Sequence, residues 1–310
     1  MSTIGIDLGG TKALAVLIDD GEVTETRRVG LDRSLGTIDA VIASIEAIQG
    51  DDTTSIGVGV AGLVRTTDGV LVWGPHLPGS NVAIGSEISK RFGVPVFVDN
   101  DANTALYGEL KLGVASGYRD VVLVTLGTGI GGAIAVDGEI YRGSGFAGEW
   151  GHVRVEGDGL LCDCGRRGCW ETRASGPALV RLAKEVTTGN PDCALARILN
   201  GAPITGETVV AAADAGDETA RALVTEVGRA LGQGLADLTA ILDPELIVVG
   251  GGLGSIGESI VGPARRVLAD SLHGGNLRVP PTVQVAKLGP TAGAVGAALM
   301  AEEETRGRLG

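Results

Sequence analysis

Positive charge is in short supply. Against 38 Asp and Glu the chain carries 25 Lys and Arg, a formal net charge of −13 over 310 residues. Proteins hold nucleic acid through clustered Lys and Arg that neutralise phosphates, so nucleic acid is not expected as a partner, and an anionic membrane is disfavoured on the same ground. No apolar run approaches the roughly 18–20 residues of a membrane span, and the opening MSTIGIDLGG has no basic region ahead of an apolar core, so no signal peptide is expected. Low-complexity tracts are also missing, because the 52 glycines stand singly or in short turn-like groups. The expectation is an acidic cytoplasmic protein without a membrane partner. A length of 310 residues at 44% hydrophobic content suggests about two domains with real cores.

Cysteine and histidine are scarce too, at four and three, which makes their placement informative. Three cysteines and one histidine fall within residues 145–172, GFAGEWGHVRVEGDGLLCDCGRRGCWET. His152, Cys162, Cys164 and Cys169 supply four soft ligands, and zinc takes four such groups tetrahedrally with no open position in a structural site. Gly165 and Gly168 permit the tight turns that would fold the loop back on itself. A disulfide or ordinary buried thiols are the alternatives, but Cys-x-Cys pairs rarely bridge each other and nothing else looks secreted. Glu149 and Glu171 flank the cluster. A zinc knot would fix both carboxylates in space, which suits binding of polyol hydroxyls.

The rest of the chain alternates strands and helices, and part of it repeats. Strands are expected at 3–8, 12–18 and 22–30, a helix at 36–48, a strand at 56–64, a hairpin near Asp68-Gly69, a helix at 84–92, a strand at 94–99 and a helix at 102–112. The pattern restarts with strands at 120–126, 133–138 and 139–143. LGGTKALAVLIDDGEV (8–23) and LGTGIGGAIAVDGEI (126–140) share strand, glycine turn, strand, Asp-Gly turn and strand. Helices near 177–188, 207–214 and 217–242, a strand at 245–251, a helix at 255–272, a strand at 282–288 and a helix at 291–304 complete the reading. This implies an α/β fold of two similar lobes with a ligand cleft between them. The boundaries drawn are 1–115 plus a C-terminal helix at about 291–310 for one lobe, and 116–290 with the 145–172 insertion for the other.

Two GxGxxG matches, Gly57–Gly62 and Gly127–Gly132, follow strands but open no helix, so neither reads as a dinucleotide fingerprint. No P-loop is present, since Gly10-Thr11-Lys12 lacks the required ending. The two glycine turns suggest a phosphate clamp instead. Gly9, Gly10 and Thr11 in one, with Gly127, Thr128 and Gly129 in the other, offer backbone N–H groups and threonine hydroxyls to phosphate oxygens. Asp7 is positioned to hold Mg²⁺ through water, with Lys12 near the phosphates. Asp101 lies at a strand-to-helix junction in VDNDAN. One of Asp99, Asn100 and Asp101 serves as the helix cap, and a carboxylate there suits a general base for a hydroxyl attacking phosphorus.

Asp7-Leu-Gly-Gly-Thr-Lys12, Asp99-Asn-Asp-Ala-Asn103, Gly127-Thr-Gly-Ile-Gly-Gly132, Gly148-Glu-Trp-Gly-His152 and Cys162-Asp-Cys-Gly-Arg-Arg-Gly-Cys-Trp-Glu171 stand in this order, and with Leu246–Gly254 (LIVVGGGLG) they cover essentially the whole chain. The set resembles the ROK family of repressors and sugar kinases, and is most like its bacterial glucokinases. The resemblance implies the actin-like sugar-kinase fold and ATP-dependent phosphorylation of a hexose 6-hydroxyl, with glucose as substrate. It implies Asp101 as base and Asn100, Glu149, His152 and Glu171 as sugar ligands, with His152 serving both zinc and sugar. Gly251 and Gly252 correspond to the adenosine side. It further implies ATP, Mg²⁺ and structural Zn²⁺ as cofactors and a homodimer or homotetramer. In His76-Leu-Pro-Gly79-Ser80-Asn81 the sequence departs from the family, where a tryptophan often follows the glycine. Asn81 is an added sugar ligand candidate, and Ser80 opens the choice among hexoses. A sugar-sensing regulator is the rival class, and an N-terminal helix-turn-helix ahead of the first strand is not expected.

Overall fold

The computed structural model describes residues 2–10, 12–32, 35–48, 50 and 52–309. Its strands are β1 (Ser2–Leu8), β2 (Lys12–Asp19), β3 (Glu22–Gly30), β4 (Thr53–Val60), β5 (Leu63–Arg65), β6 (Val70–Trp73), β7 (Val96–Asn100), β8 (Val121–Leu126), β9 (Ile130–Val136), β10 (Glu139–Ile140), β11 (Leu246–Gly250) and β12 (Thr282–Val285). Its α-helices are α1 (Thr37–Glu46), α2 (Ile84–Phe92), α3 (Asp101–Leu112), α4 (Gly176–Gly189), α5 (Ala194–Leu199), α6 (Gly206–Asp214), α7 (Glu218–Leu242), α8 (Gly251–Gly254), α9 (Glu258–Ser271) and α10 (Ala292–Leu309). Two five-stranded sheets carry the same neighbour order, β3-β2-β1-β4-β7 and β10-β9-β8-β11-β12. The duplication read from the glycine turns therefore extends through each sheet. Contacts divide the chain into two units: residues 1–119, 133–148 and 286–310, and residues 120–132 and 149–285.

In the first unit, alternating apolar residues of β1, β2 and β4 close over α1 and α2 in a core that includes Ile4, Ile6, Leu8, Val41, Ile45, Val58 and Ile88. The opposite sheet face receives α10. In the parallel pairing of β1 with β4, Gly5 lies beside Gly57. A Cβ at Gly5 would come within 1.9 Å of the Ala294 carbonyl, and one at Gly57 within 1.8 Å of the Ala297 carbonyl. The helix backbone thus rests directly on a side-chain-free strip of sheet. The 56–64 strand expected from sequence is interrupted, because β4 ends at Val60 and Gly62, at φ 143°, turns the chain into the β5–β6 hairpin.

In the second unit β8, β11 and β12 are parallel. All five residues of β11 are buried, the near-continuous apolar run of a strand covered on both faces. Asp217 caps the 25-residue α7 by accepting from Ala220 N at 2.7 Å, and α9 lies close along it where Gly228 and Gly232 face the Ile260 and Ala264 carbonyls. α5 was not expected, since six residues are too few to display a helical period; Cys193 caps it through Ala196 N at 3.4 Å. α9 starts at Glu258 rather than 255, after Gly257 at φ 69°. Among the described residues no helix is long and apolar enough to cross a membrane.

Candidate active site and metal centre

The first glycine turn is closed by Gly9 N–H donating to Lys12 O at 3.1 Å. Gly10 has a packing reason for lacking a side chain, because a Cβ there would lie 2.4 Å from His76 Cβ. Thr11 lies outside the described residues. Lys12 is exposed at the start of β2. Asp7 is half-buried beside Gly293 in the first turn of α10, where an added Cβ would approach its carboxyl carbon to 2.9 Å. Burial first, then the negative charge of Asp101, push the Asp7 carboxyl up to about 7, with Lys12 pulling the other way. Asp7 and Asp101 therefore sense each other electrostatically, as two candidate site carboxylates should. An acid pair of this kind fits a divalent cation, which relieves the repulsion.

Asp101 is the first residue of α3. Asn100 is the cap: its Oδ1 accepts from Ala102 N at 2.8 Å and Asn103 N at 3.3 Å, and its Nδ2 donates to Gly62 O at 3.0 Å. Capping is thereby delegated to the neighbour, leaving the Asp101 carboxylate with the N–H of Ala102 at 3.0 Å. Burial raises the Asp101 pKa, assisted by the Asp99 charge and moderated by the Ala102 and Asp101 amides and the Asn100 side chain. Asp99 is 1% exposed and fully engaged. Its Oδ1 accepts from Asn100 N at 2.7 Å and Asn103 Nδ2 at 2.9 Å, and its Oδ2 from Arg142 Nε at 2.8 Å and Nη2 at 2.7 Å. Asn81 stands exposed at φ 52°, its N–H on Val72 O at 3.0 Å.

In the second unit the other glycine turn is closed by Gly127 N–H on Gly129 O at 3.0 Å, and Gly176 N–H at the head of α4 donates to Gly127 O at 2.9 Å. Gly127 and Thr128 are exposed. Gly251, at φ 79°, and Gly252 follow β11, and a Cβ at Gly251 would lie 2.4 Å from Leu126 O. The turn after β8 and the turn after β11 thus share the carboxyl end of a parallel pair, the usual ligand end of such sheets. Gly129 adjoins Glu171, whose Oε2 lies 3.4 Å from Ile130 N and 2.5 Å from where a Gly129 Cβ would stand.

The cysteine loop is a small hairpin. Gly165 N–H bonds Cys162 O at 2.9 Å and Cys162 N–H bonds Arg166 O at 2.8 Å, with Gly165 and Gly168 at φ 84° and 76° as the turns require. The ligand atoms of His152, Cys162, Cys164 and Cys169 all lie within 4.8 Å of one another. Cys164 Sγ is 3.6 Å from Cys169 Sγ and Cys162 Sγ is 3.7 Å from His152 Nδ1. A zinc–sulfur bond of about 2.3 Å sets tetrahedral edges of about 3.8 Å, so the donor set fits zinc in kind and in size. Cys164 is poised as a thiolate: burial opposes ionisation, but hydrogen bonds from Arg166, Cys162 and Cys169 bring it down to about 6. With Nδ1 turned toward the sulfurs, Nε2 is the other ring nitrogen left to His152. Glu171 Oε1 lies 3.3 Å from that Nδ1 and accepts from Cys162 Sγ at 2.8 Å. Glu149 is exposed, and its carbonyl accepts from His152 N at 3.2 Å.

Two tryptophans anchor the loop as packing groups. Trp170 is 2% exposed, donates Nε1–H to Ala230 O at 2.9 Å, and fills the space left by Gly234 of α7. Trp150 occupies the space left by Gly132, the last glycine of GTGIGG. Sequence reasoning missed Arg142 altogether, since nothing in EIYRG signals a partner 43 residues away.

Residues 3–304 match the model of the ROK family. Over 97% of its length the chain is 40% identical to a glucokinase of Streptomyces coelicolor, covering 98% of that protein. Its structure superposes with a TM-score of 0.90 on the crystal structure of a ROK family glucokinase from Streptomyces griseus in complex with glucose and AMPPNP, at 39% identity over 98% of this chain and 100% of that one. A ROK family transcriptional regulator, a homologue of the E. coli MLC protein, matches 96% of this chain at 29% identity with a TM-score of 0.83, and the match spans 77% of the regulator. With the family model matched nearly end to end and relatives of this identity aligned across it, the chain belongs to the ROK family.

Proposed function

We propose that the chain is an ATP-dependent glucokinase, transferring the γ-phosphoryl group of ATP to the 6-hydroxyl of glucose to give glucose 6-phosphate and ADP. The observation that carries this is Asp101. It stands at the head of α3, with capping taken over by Asn100 and its pKa raised chiefly by burial, as a base that must take a hydroxyl proton requires. The alignment with the glucokinase of Streptomyces coelicolor and the fit to the glucose and AMPPNP complex from Streptomyces griseus support the same reading.

In this reading Asp101 accepts the 6-hydroxyl proton as that oxygen attacks phosphorus, and Asn81, Asn100, Glu149, His152 and Glu171 hold the other hydroxyls. Gly9, Gly10, Thr11, Lys12, Gly127, Thr128 and Gly129 cradle the phosphates, and Gly251 and Gly252 receive the adenosine side. Asp7 is the residue that would hold Mg²⁺ through water, and the chemistry the ion supplies there is neutralisation of phosphate charge. His152, Cys162, Cys164 and Cys169 would hold Zn²⁺ in a structural role, keeping His152 and Glu171 in place. A cytoplasmic location, a part in glycolysis and a homodimeric or homotetrameric assembly belong to the same reading.

The test is a coupled ADP-release assay with ATP, Mg²⁺ and a panel of hexoses, with Asp101→Ala alongside the parent. Glucose turnover is expected, with kcat lower by on the order of 10²–10⁴ in the variant. Full activity of Asp101→Ala removes the base assignment. Turnover only with an N-acetylated hexose, mannose or fructose keeps the mechanism and replaces the substrate. Sugar binding without turnover of any hexose favours a sensor.

A further inference from the structure

We infer that Arg142 is a positioning residue for the Asn100–Asp101 pair, acting through Asp99; this rests on the glucokinase reading. The guanidinium places Nε and Nη2 on one oxygen of Asp99, at 2.8 and 2.7 Å, and Nη1 on Ile140 O at 3.4 Å. That pins one oxygen of the buried carboxylate. Its other oxygen then receives the Asn100 amide at 2.7 Å and the Asn103 side chain at 2.9 Å. The Asn100 amide begins the peptide that delivers the cap and the base, so the direction of the Asp101 side chain is set one residue upstream. The Arg142 carbonyl adds a second hold, accepting from Gly145 N at 2.8 Å and Ala147 N at 3.2 Å. It closes the turn that the chain follows toward Gly148 and Glu149.

Charge neutralisation alone is the competing account, because a buried Asp99 needs a counter-charge wherever the catalytic group sits. The two accounts separate in variants. Arg142→Met strips Asp99 of its counter-ion and risks misfolding, so the decisive variant is the double Asp99→Asn/Arg142→Met, which removes both charges together. Arg142→Lys keeps the charge and loses the planar two-point contact.

The measurements are melting temperature, kcat, the KM for glucose and for ATP, and glucose Kd by calorimetry. The double variant is expected to melt near the parent, with glucose kcat/KM down about 10- to 100-fold, since small displacements of a reacting group cost on that scale. The ATP KM should stay within about twofold, and Arg142→Lys should fall between parent and double variant. A double variant or Arg142→Lys with parental glucose kcat/KM overturns the inference while leaving the glucokinase reading intact. If the parent binds glucose without phosphorylating it, that reading fails, and the glucose Kd of the double variant decides: a weakened Kd supports the positioning role and an unchanged one overturns it. A parent that neither binds nor phosphorylates glucose overturns both.

Discussion

Asp7 is held at a cost that depends on pH. Its folded pKa of about 7 stands above the ordinary aspartate value of 3.8, so between those two values the folded chain holds a proton that the unfolded chain has released. Stability from this group is therefore complete below about pH 4, declines by roughly 1.4 kcal/mol per pH unit, and is lost once the pH passes about 7. Asp7→Asn removes this group's share of the slope. In urea unfolding of the metal-free protein, the variant should exceed the parent at pH 8 by on the order of a few kcal/mol, and the gap should narrow toward pH 5. A gap that is constant with pH would refute the assignment. Asp7 and Asp101 were both legible in the sequence as carboxylates at strand ends. Their mutual repulsion was not, because it depends on two strand ends converging, and the same limit hid the pairing of Asp99 with Arg142.

Elements meet here through glycine. α10 reads AGAVGAALMA over its first ten residues, and its buried face includes Ala294, Val295, Ala297, Ala298 and Ala301. Its seat depends on Gly5 lying beside Gly57, a register across 52 residues that no local pattern announces. The helices themselves were legible from apolar periodicity, whereas the closeness of their approach was not. On the α3 side, a Cβ at Gly296 would stand 1.7 Å from Thr104 O, while Gly307 in the same helix has open space. Gly296→Ala should therefore destabilise by about 1–3 kcal/mol or more as the helix is pushed off its partner. Gly307→Ala should instead stabilise by up to about 1 kcal/mol through helix propensity. Urea midpoints for the pair check this, and stabilisation by both would mean that α10 is not tightly seated.

At the scale of the whole chain, the duplicated glycine turns foretold two sheets of like order because each turn closes the same antiparallel pair beside a parallel strand. The cysteine spacing likewise foretold the ligand cluster. What the spacing left hidden was how the loop is tied down, since Trp170 reaches Ala230 and Gly234 some sixty residues later. That anchoring bears on what loss of metal should do. A loop held only by metal would melt by itself on chelation, leaving the main transition untouched. A loop whose tryptophan is buried against α7 would pass the binding energy of a metal on to the helices it packs on. Zinc should then raise the melting temperature by linkage, about 4 kcal/mol at a thousandfold excess over Kd, or on the order of 10 °C for a protein of this size. Cys164 is exposed, so Cys164→Ser removes a ligand with little loss of packing. Parent and variant should melt together in chelator, and only the parent should rise as zinc is restored, to one ion per chain by mass spectrometry. A parent that melts at the same temperature with and without added zinc would show that the loop is coupled to nothing beyond itself.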